Sequence, residues 1–219
     1  MKTILDAQHQ HWQDTFNRNP EMFGAEPSAV ARFAMELFKK EGKTRIIELG
    51  AGQGRDTFFF AQNGLQVYTL DYSESAVAAI TGKARELHLS DAITARQHDV
   101  RLPLPFDDES FDACYSHMLY CMALTTPELE FLSREVKRIL RPEGLQVYTV
   151  RHTGDAHYGT GSPRGEDMYE VGGFIVHFFS RKKVGHLAAG YTIIAVDEFE
   201  EGALPRKLFR VTLKKKAGG

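Results

Sequence analysis

Three glycines that directly follow a short apolar run constrain the fold of this chain most strongly. The apolar run is Arg45–Leu49, and Gly50, Gly52 and Gly54 separate it from a segment with helical periodicity. A second apolar run ends at Asp71. Glycines at such a point let the backbone approach a ligand at a helix N-terminus, and an acid after the second strand accepts hydrogen bonds from ribose hydroxyls. The pattern therefore predicts an adenosine-type cofactor.

Segments of strand length alternate with segments of helical period from Arg45 to about Arg151, which is typical of a parallel sheet with crossover helices. We therefore predict a doubly wound α/β domain. The predicted strands of this part are residues 45–49, 65–70, 93–97, 113–116 and 145–150. Two closing strands, residues 191–198 and 208–214, follow a short predicted helix at residues 180–189.

Helix boundaries are predicted from capping residues and apolar stripes. Ser28, Ser73 and Thr126 are predicted to mark helix starts, and Pro127 lies in the first turn after the last of them. The residues predicted to face the core are Val30, Phe33, Leu37 and Phe38, then Val77, Ile80, Ala84 and Leu87, then Leu129, Leu132, Val136, Ile139 and Leu140. Residues 152–173 are rich in glycine and are predicted to be a long connection, either functional or poorly ordered.

Length and charge narrow the classes of partner. A chain of 219 residues favours one domain. Lysine and arginine number 27 against 29 acids, so the net charge of −2 gives no electrostatic reason to expect nucleic acid or an anionic membrane. The longest uncharged segment, residues 113–127, is too short to span a bilayer, and the N-terminus lacks the apolar core of a signal peptide.

The two cysteines, Cys114 and Cys121, have no second pair with which to form a zinc or disulfide framework. We expect them to be buried small residues in a reducing compartment. The sequence therefore predicts a cytoplasmic protein without a metal site, and it does not indicate an oligomeric state.

The spacing of the glycines bears on which cofactor is bound. A dinucleotide site uses Gly-x-Gly-x-x-Gly, whereas this loop is Gly-x-Gly-x-Gly. Glu48 precedes the loop and would sit badly beside a pyrophosphate, but it suits a ligand that bears an ammonium and a sulfonium group. A nicotinamide-dependent oxidoreductase remains the alternative, and cofactor binding separates the two classes.

Residues 46–54, Ile-Ile-Glu-Leu-Gly-Ala-Gly-Gln-Gly, resemble motif I of the class I S-adenosylmethionine-dependent methyltransferases. Residues 98–100, 111–113 and 140–144 are similar to later segments of that family, in the same order and spacing. The resemblance implies a Rossmann-like seven-stranded sheet of order 3-2-1-4-5-7-6, with the last strand antiparallel. The cofactor-binding residues that it implies are Glu48, Gly50, Ala51, Gly52, Gly54, Arg55, Asp71, Tyr72, Asp99, Val100 and Ser116.

Residues 22–28 and 52–56 resemble the small-molecule methyltransferases of the tellurite-resistance and thiopurine type. The resemblance implies one methyltransferase domain over residues 1–219, with a helical cap at 1–40 and a lid-like insertion at 152–190. Trp12, Phe16 and Phe23 are expected to help close the site over S-adenosyl-L-methionine, whose product would be S-adenosyl-L-homocysteine.

Methyl transfer is an in-line displacement, so a dedicated base is optional. For an alcohol or a protonated amine the first candidates for the base are His117 and His152, which follow the fourth and fifth predicted strands. A soft anion such as a thiolate or tellurite would need no base. Candidates for the wall of a small-molecule pocket are Tyr120, Tyr158, Tyr169 and His177. A sensor that binds the same cofactor without turnover is a third possibility.

Overall fold

The computed structural model describes residues 4–19, 22, 24–202 and 206–217. Its helices are α1 (Ile4–Arg18), α2 (Ala29–Lys40), α3 (Arg55–Gln62), α4 (Glu74–Glu86), α5 (Thr126–Ile139) and α6 (Arg181–Leu187). Its strands are β1 (Arg45–Leu49), β2 (Gln66–Asp71), β3 (Ile93–Gln97), β4 (Phe111–His117), β5 (Leu140–Arg151), β6 (Ser162–Gly165), β7 (Met168–Val171), β8 (Phe174–His177), β9 (Tyr191–Glu201) and β10 (Arg206–Lys215).

Seven strands form the main sheet in the order β3-β2-β1-β4-β5-β10-β9. The first five are parallel to one another, and β10 runs antiparallel to both β5 and β9. Because β9 and β10 are the sixth and seventh strands of this sheet along the chain, the predicted order 3-2-1-4-5-7-6 is confirmed. The fold is the predicted doubly wound, Rossmann-like α/β architecture.

Both faces of the sheet are covered, and the alternation of side chains along a strand decides which core each residue joins. On β1, Ile46 packs in a cluster with Phe38 of α2 and Phe60 of α3, while Ile47 packs in a second cluster with Leu132 of α5. Successive strand residues point to opposite faces, which is why neighbouring isoleucines serve different cores. The carboxyl ends of the parallel strands are left open between these layers.

Capping residues set the helix starts. The Ser28 and Ser73 hydroxyls cap α2 and α4 as predicted. The start of α5 is one residue earlier than predicted, because Thr125, and not Thr126, is the N-cap. Glu128 lies three residues after Thr125 and accepts a hydrogen bond of 2.7 Å from the Thr125 backbone N–H. This reciprocal capping box explains the shift.

Two other boundaries differ from the prediction. Leu87, predicted to face the core, is 37% exposed because it lies at the C-cap, where α4 has already ended. The fifth strand begins at Leu140 and not near residue 145. An irregularity in its pairing with β4 follows Leu140, and Glu143 has a φ of +62° there, so the Pro142–Gly144 segment is a distortion inside the strand.

The predicted connection at residues 152–173 contains regular structure. The strands β6, β7 and β8 form a second, antiparallel sheet. Gly172 and Gly173 both have positive φ and form a two-residue hairpin turn between β7 and β8. A Gly-Gly pair between two apolar runs is a hairpin signal, so the sequence pattern contained evidence for this sheet. Among the described helices, none is long and apolar enough to cross a membrane.

Candidate functional site

A cavity of about 600 Å³ opens at the carboxyl ends of the parallel strands. Loops that follow β1, β2, β3 and β4 form one wall, and α1, β8 and the ends of β9 and β10 form the other. Ligands of open α/β sheets bind at this edge, where the strand order reverses.

The glycine loop makes the floor of one end of the cavity. Gly50, Ala51 and Gly52 line it, and Gly50 and Gly52 have φ values of +71° and +54°. A Cβ atom on Gly50 would lie 3.0 Å from Cβ of Leu119. Gly54, predicted to bind cofactor, lies outside the cavity lining. A Cβ atom there would lie 2.7 Å from Cγ1 of Ile80, so this glycine lets α3 and α4 pack closely.

Asp71 lines the same end and also holds the loop. Its carboxylate accepts hydrogen bonds from the backbone N–H of Gly52 at 2.8 Å and of Ser73 at 2.9 Å. Burial raises the pKa of Asp71 to about 6, although both backbone hydrogen bonds oppose that rise. Because Ser73 itself caps α4, Asp71 is not needed as a cap, and its carboxylate faces the cavity.

Glu48 is a second buried acid in the lining. The Thr57 hydroxyl donates a hydrogen bond of 2.5 Å to its carboxylate. Burial, and then the neighbouring Asp56, raises the pKa of Glu48 to about 8. A positive charge placed beside this carboxyl would favour its ionised form.

Asp56 is a third acid in the lining, and the sequence patterns did not single it out. Its carboxylate accepts hydrogen bonds of 2.8 Å from the Ser28 backbone and hydroxyl and of 2.7 Å from the Tyr115 hydroxyl. Arg55, predicted to bind cofactor, also lines the cavity, and its Nε lies 3.4 Å from Oδ1 of Asp56.

The loop after β3 forms the far edge of this end. Tyr72, Asp99 and Val100 line the cavity there, as does His98, whose Nε2 is buried with no hydrogen-bond partner among the described residues. Arg101 holds the Asp99 carboxylate with contacts of 2.7 to 3.0 Å. Burial alone would raise the pKa of Asp99, but the hydrogen bonds from Arg101 outweigh it and leave the pKa lowered.

Ser116, another predicted cofactor residue, lies outside the cavity lining. Its hydroxyl is buried and donates a hydrogen bond of 3.0 Å to the Leu49 carbonyl, which links β4 to β1. The next residue, His117, does line the cavity. Alternation along β4 therefore separates two neighbouring residues that the sequence placed together.

His117 occupies the other end of the cavity. Its Nδ1 lies 2.8 Å from the Thr149 hydroxyl, and its Nε2 lies 3.3 Å from Oε2 of Glu201. Met118, the next residue, has a φ of +65° and donates its backbone N–H to the same Thr149 hydroxyl at 3.0 Å. Glu201 belongs to the acidic segment between the predicted closing strands, and the structure places it in the cavity wall.

His152, the other predicted base, lies outside the lining. Its ring stacks on Phe209 with centroids 4.5 Å apart, and its Nδ1 accepts the Gly154 backbone N–H at 2.9 Å. The four candidate pocket residues lie outside the lining too. These are Tyr120, which is buried against Tyr148; Tyr158 and Tyr169, which pack edge to face; and His177, which contacts Lys183 and the Leu124 carbonyl.

Helix α1 covers the cavity. Trp12 and Phe16 line it, and Trp12 lies 4.8 Å from Phe174 of β8 between ring centroids. Phe23, predicted to act with them, lies outside the described residues. Arg151 and Phe174 line the cavity although no sequence pattern assigned them to a site, and Glu201 lines it as well. In the part of the chain that the structure describes, no three His, Cys, Asp or Glu residues are grouped as a metal site requires.

An open α/β sheet with a glycine loop after its first strand and an acid after its second is the arrangement of a domain that binds a nucleotide-type cofactor. Residues 46–144, just under half of the chain, match the family described as the methyltransferase domain.

Known proteins resemble the chain over longer stretches. It is 27% identical to 24-methylenesterol C-methyltransferase 2 of Arabidopsis thaliana over 151 residues, which span 66% of this chain and 40% of that relative. The 1,6-didemethyltoxoflavin-N1-methyltransferase of Burkholderia thailandensis, solved with S-adenosylhomocysteine, superposes with a TM-score of 0.76 at 16% identity, over 99% of this chain and 92% of the other. TehB of Haemophilus influenzae superposes with a TM-score of 0.69 at 13% identity, over 94% of this chain and 67% of TehB.

Proposed function

We propose that this protein is an enzyme that transfers the methyl group of S-adenosylmethionine to a small-molecule acceptor. The observation that carries the proposal is one continuous cavity with two unlike ends. One end has the glycine loop with the buried acids Glu48 and Asp71, and the other has apolar side chains with His117 and Glu201. A cofactor and an acceptor can therefore meet inside one enclosure.

The residues at the first end fit S-adenosylmethionine. Asp71 is placed to accept hydrogen bonds from ribose hydroxyls, and Glu48 from an ammonium group. The unpartnered His98 Nε2 and the Asp99 carboxylate offer polar contacts for a heterocycle. The proposed cofactor residues are Glu48, Gly50, Ala51, Gly52, Arg55, Asp56, Asp71, Tyr72, His98, Asp99 and Val100.

The bound cofactor would supply an electrophilic methyl group on a sulfonium. The chain itself positions the two reactants and excludes water from them. Gly50 and Leu119 lie against each other in the cavity lining, and Trp12 and Phe174 pack together in the same lining. Holding both reactants in line and excluding water are the main protein contributions to such a displacement.

The cavity supports a small acceptor. Its volume of about 600 Å³ lies within the range of about 300 to 1,000 Å³ typical of small-molecule sites. The net charge of −2 gives no attraction toward nucleic acid. We place the enzyme in the cytoplasm, which agrees with two free, buried cysteines. Residues 152–190, with the sheet β6-β7-β8, are proposed to act as the lid over the acceptor, and residues 1–40 as the cap over the cofactor.

Calorimetric titration of the protein with S-adenosylhomocysteine, and separately with NAD⁺, tests the cofactor assignment. We expect binding of S-adenosylhomocysteine alone. Binding of NAD⁺ alone would establish the oxidoreductase alternative and overturn the proposal. Binding of S-adenosylhomocysteine without methylation of any acceptor by S-adenosylmethionine would favour a sensor.

A further inference from the structure

The acceptor end of the cavity has an apolar wall with polar and charged side chains beside it. The apolar wall consists of Met118, Leu119, Met122, Leu124, Phe174 and Val176. His117 of β4 and Glu201 of β9 lie next to it, and Arg151, His157 and Arg206 line the same cavity. A polar pair in an apolar wall is costly to desolvate, so it points to a polar group on the ligand.

Hydrogen bonding to Thr149 orients the ring of His117. The Thr149 hydroxyl accepts the Met118 backbone N–H, and its own proton is available for donation to His117 Nδ1. When Thr149 donates in this way, the N–H of the ring is at Nε2, which faces Glu201. The residue that follows, Met118, has a left-handed backbone without being glycine, and such strain persists where the surroundings hold it in place.

This arrangement makes His117 a donor and leaves Glu201 as the available base. Only one oxygen of the Glu201 carboxylate, Oε2, faces the ring, and the other has no hydrogen bond within the described part of the chain. The charged and titratable groups that face Glu201 are His117 of β4, Arg55 of α3 and Arg206 of β10. Burial would raise the pKa of Glu201, but these three groups outweigh it and keep the pKa low, so the carboxylate is ionised at neutral pH.

We infer that Glu201 receives the proton of the acceptor and that His117 and Thr149 are positioning residues for the Glu201 carboxylate. The acceptor is an apolar small molecule whose nucleophile is a hydroxyl or N–H group. The inference rests on the proposed function. The ionised carboxylate accepts the hydrogen bond of such a nucleophile, a contact that a thiolate or oxyanion without a proton does not offer.

The transfer balances with these groups alone. The lone pair of the acceptor oxygen or nitrogen forms the bond to the methyl carbon, the carbon–sulfur bond breaks, and its electron pair stays on sulfur. The proton of the acceptor passes to the Glu201 carboxylate. The side chain of Glu201 is 26% exposed, so the proton can leave to solvent after release of the product.

The acceptor class is tested with probes of one shape. The complex with S-adenosylhomocysteine is titrated with 2-naphthol, 2-naphthylamine and 2-methoxynaphthalene, and S-adenosylmethionine is then used with the first two and with 2-naphthalenethiol, with methylated product measured by mass spectrometry. We expect the two donor-bearing probes to bind at least tenfold more tightly than the methoxy compound and to be methylated. If all three probes bind equally, if none binds, or if only the thiol is methylated, the inference is wrong.

The roles are tested with matched variants. Glu201→Gln is expected to lower kcat by 10²- to 10⁴-fold, the usual contribution of a positioned base. Glu200→Gln is the control, since Glu200 is exposed on the same strand and lies outside the cavity lining. Thr149→Val is expected to lower kcat and Thr149→Ser to restore it, because only serine keeps the hydroxyl.

The pH profile of kcat/KM distinguishes a positioning role of His117 from a purely structural one. Replacement of the imidazole by a phenyl ring in His117→Phe takes away a group that keeps the pKa of Glu201 low, so the acidic limb of kcat/KM should move to higher pH. An unmoved limb would overturn the role of His117, and an activity unaffected by Glu201→Gln would overturn that of Glu201. All of these variants should bind S-adenosylhomocysteine as the parent does. If the parent itself does not bind it, the proposed function fails first, independently of Glu201.

Discussion

At the scale of single residues, the cofactor end concentrates three buried acids where one would already be costly. Glu48, Asp56 and Asp71 are each 5% exposed or less. Hydrogen bonds from Thr57, Tyr115 and the loop backbone satisfy part of their capacity, but they do not neutralise the charge. Such a cluster is retained because its complement is a ligand with positive charge and hydroxyl donors.

Asp71→Ala is expected to lower the affinity for S-adenosylhomocysteine by about 1 to 3 kcal/mol, the scale for loss of a charged hydrogen-bond partner. Calorimetry measures the change. Ser116→Ala is the matched control, because it also removes a buried hydrogen bond at a strand end but lies outside the cavity lining. Equal losses of affinity in the two variants would show that Asp71 does not contact the cofactor.

Glu48→Gln is expected to stabilise the fold at alkaline pH while it weakens cofactor binding. The pKa of Glu48 is about 8 in the folded protein and near 4.5 ordinarily, so its contribution to stability is complete below about pH 4.5 and is lost as the pH rises through 8. Glutamine cannot ionise. At pH 9 the variant should be more stable than the parent by more than about 1 kcal/mol, since each pKa unit corresponds to about 1.4 kcal/mol. Chemical denaturation at pH 5 and pH 9 measures the stability of both proteins. The same stability difference at the two pH values would contradict the prediction.

At the scale of elements, α1 joins the two ends of the cavity. The Gln8 side chain donates to the Gly173 carbonyl and accepts from the Ile175 backbone N–H, both at 3.0 Å, so it pairs with β8 as a neighbouring strand would. On the other side, the Gln13 side chain accepts the Ser73 hydroxyl at 2.8 Å, next to Asp71. One helix therefore bridges the cofactor loop and the second sheet.

Gln8→Ala is expected to loosen α1, because it removes the partner of the Gly173 carbonyl in the turn before β8 and of the buried Ile175 backbone N–H in β8. A loss of about 1 to 3 kcal/mol corresponds to about 5- to 150-fold faster amide hydrogen exchange in α1. Dissociation of S-adenosylhomocysteine should quicken as well. Gln10→Ala is the control, since Gln10 is exposed and its amide bonds only Asp14 on the same helix. The same exchange rate in both variants would argue against the bridge.

At the scale of the whole molecule, one buried ion pair ties the loop that follows β5 to the main sheet. Arg151, at the end of β5, contacts the Asp155 carboxylate with two nitrogens. The same carboxylate accepts the backbone N–H of His157 and of Lys207, the latter on β10, both at 2.8 Å. Burial would raise the pKa of Asp155, but the hydrogen bonds from Arg151 and the backbone outweigh it and leave the pKa lowered.

Asp155→Asn is expected to destabilise the protein by about 3 to 5 kcal/mol at pH 7, because it leaves the Arg151 guanidinium buried without its counter-charge. Chemical denaturation measures the loss. The exposed pair of Arg181 and Glu198 is the contrast, and Glu198→Gln should cost about 0 to 1 kcal/mol. Since the pKa of Asp155 is lowered, its contribution is present above about pH 4 and is lost at lower pH, so the two proteins should converge in acid.

Local chemistry made much of this molecule predictable. The glycine loop, Asp71, Glu48 and the helix starts at Ser28 and Ser73 depend on residues within a few positions of one another, and their spacing is visible in the chain. The order of the main sheet came from the resemblance to a family. The hairpin at Gly172–Gly173 was also within reach of the pattern, although it was interpreted as a connection.

Only the tertiary structure decided which residues share the cavity. Along β4 it turns Ser116 toward β1 and His117 toward the cavity, and at the end of β5 it brings Arg151 to the cavity and stacks His152 on Phe209. Glu201 meets His117 across 84 residues of chain. The direction of a side chain at a strand end depends on pairing register and on distant neighbours, because a shift of one residue reverses its face. The sequence by itself determined the chemistry of the cofactor end, and long-range packing decided the acceptor end.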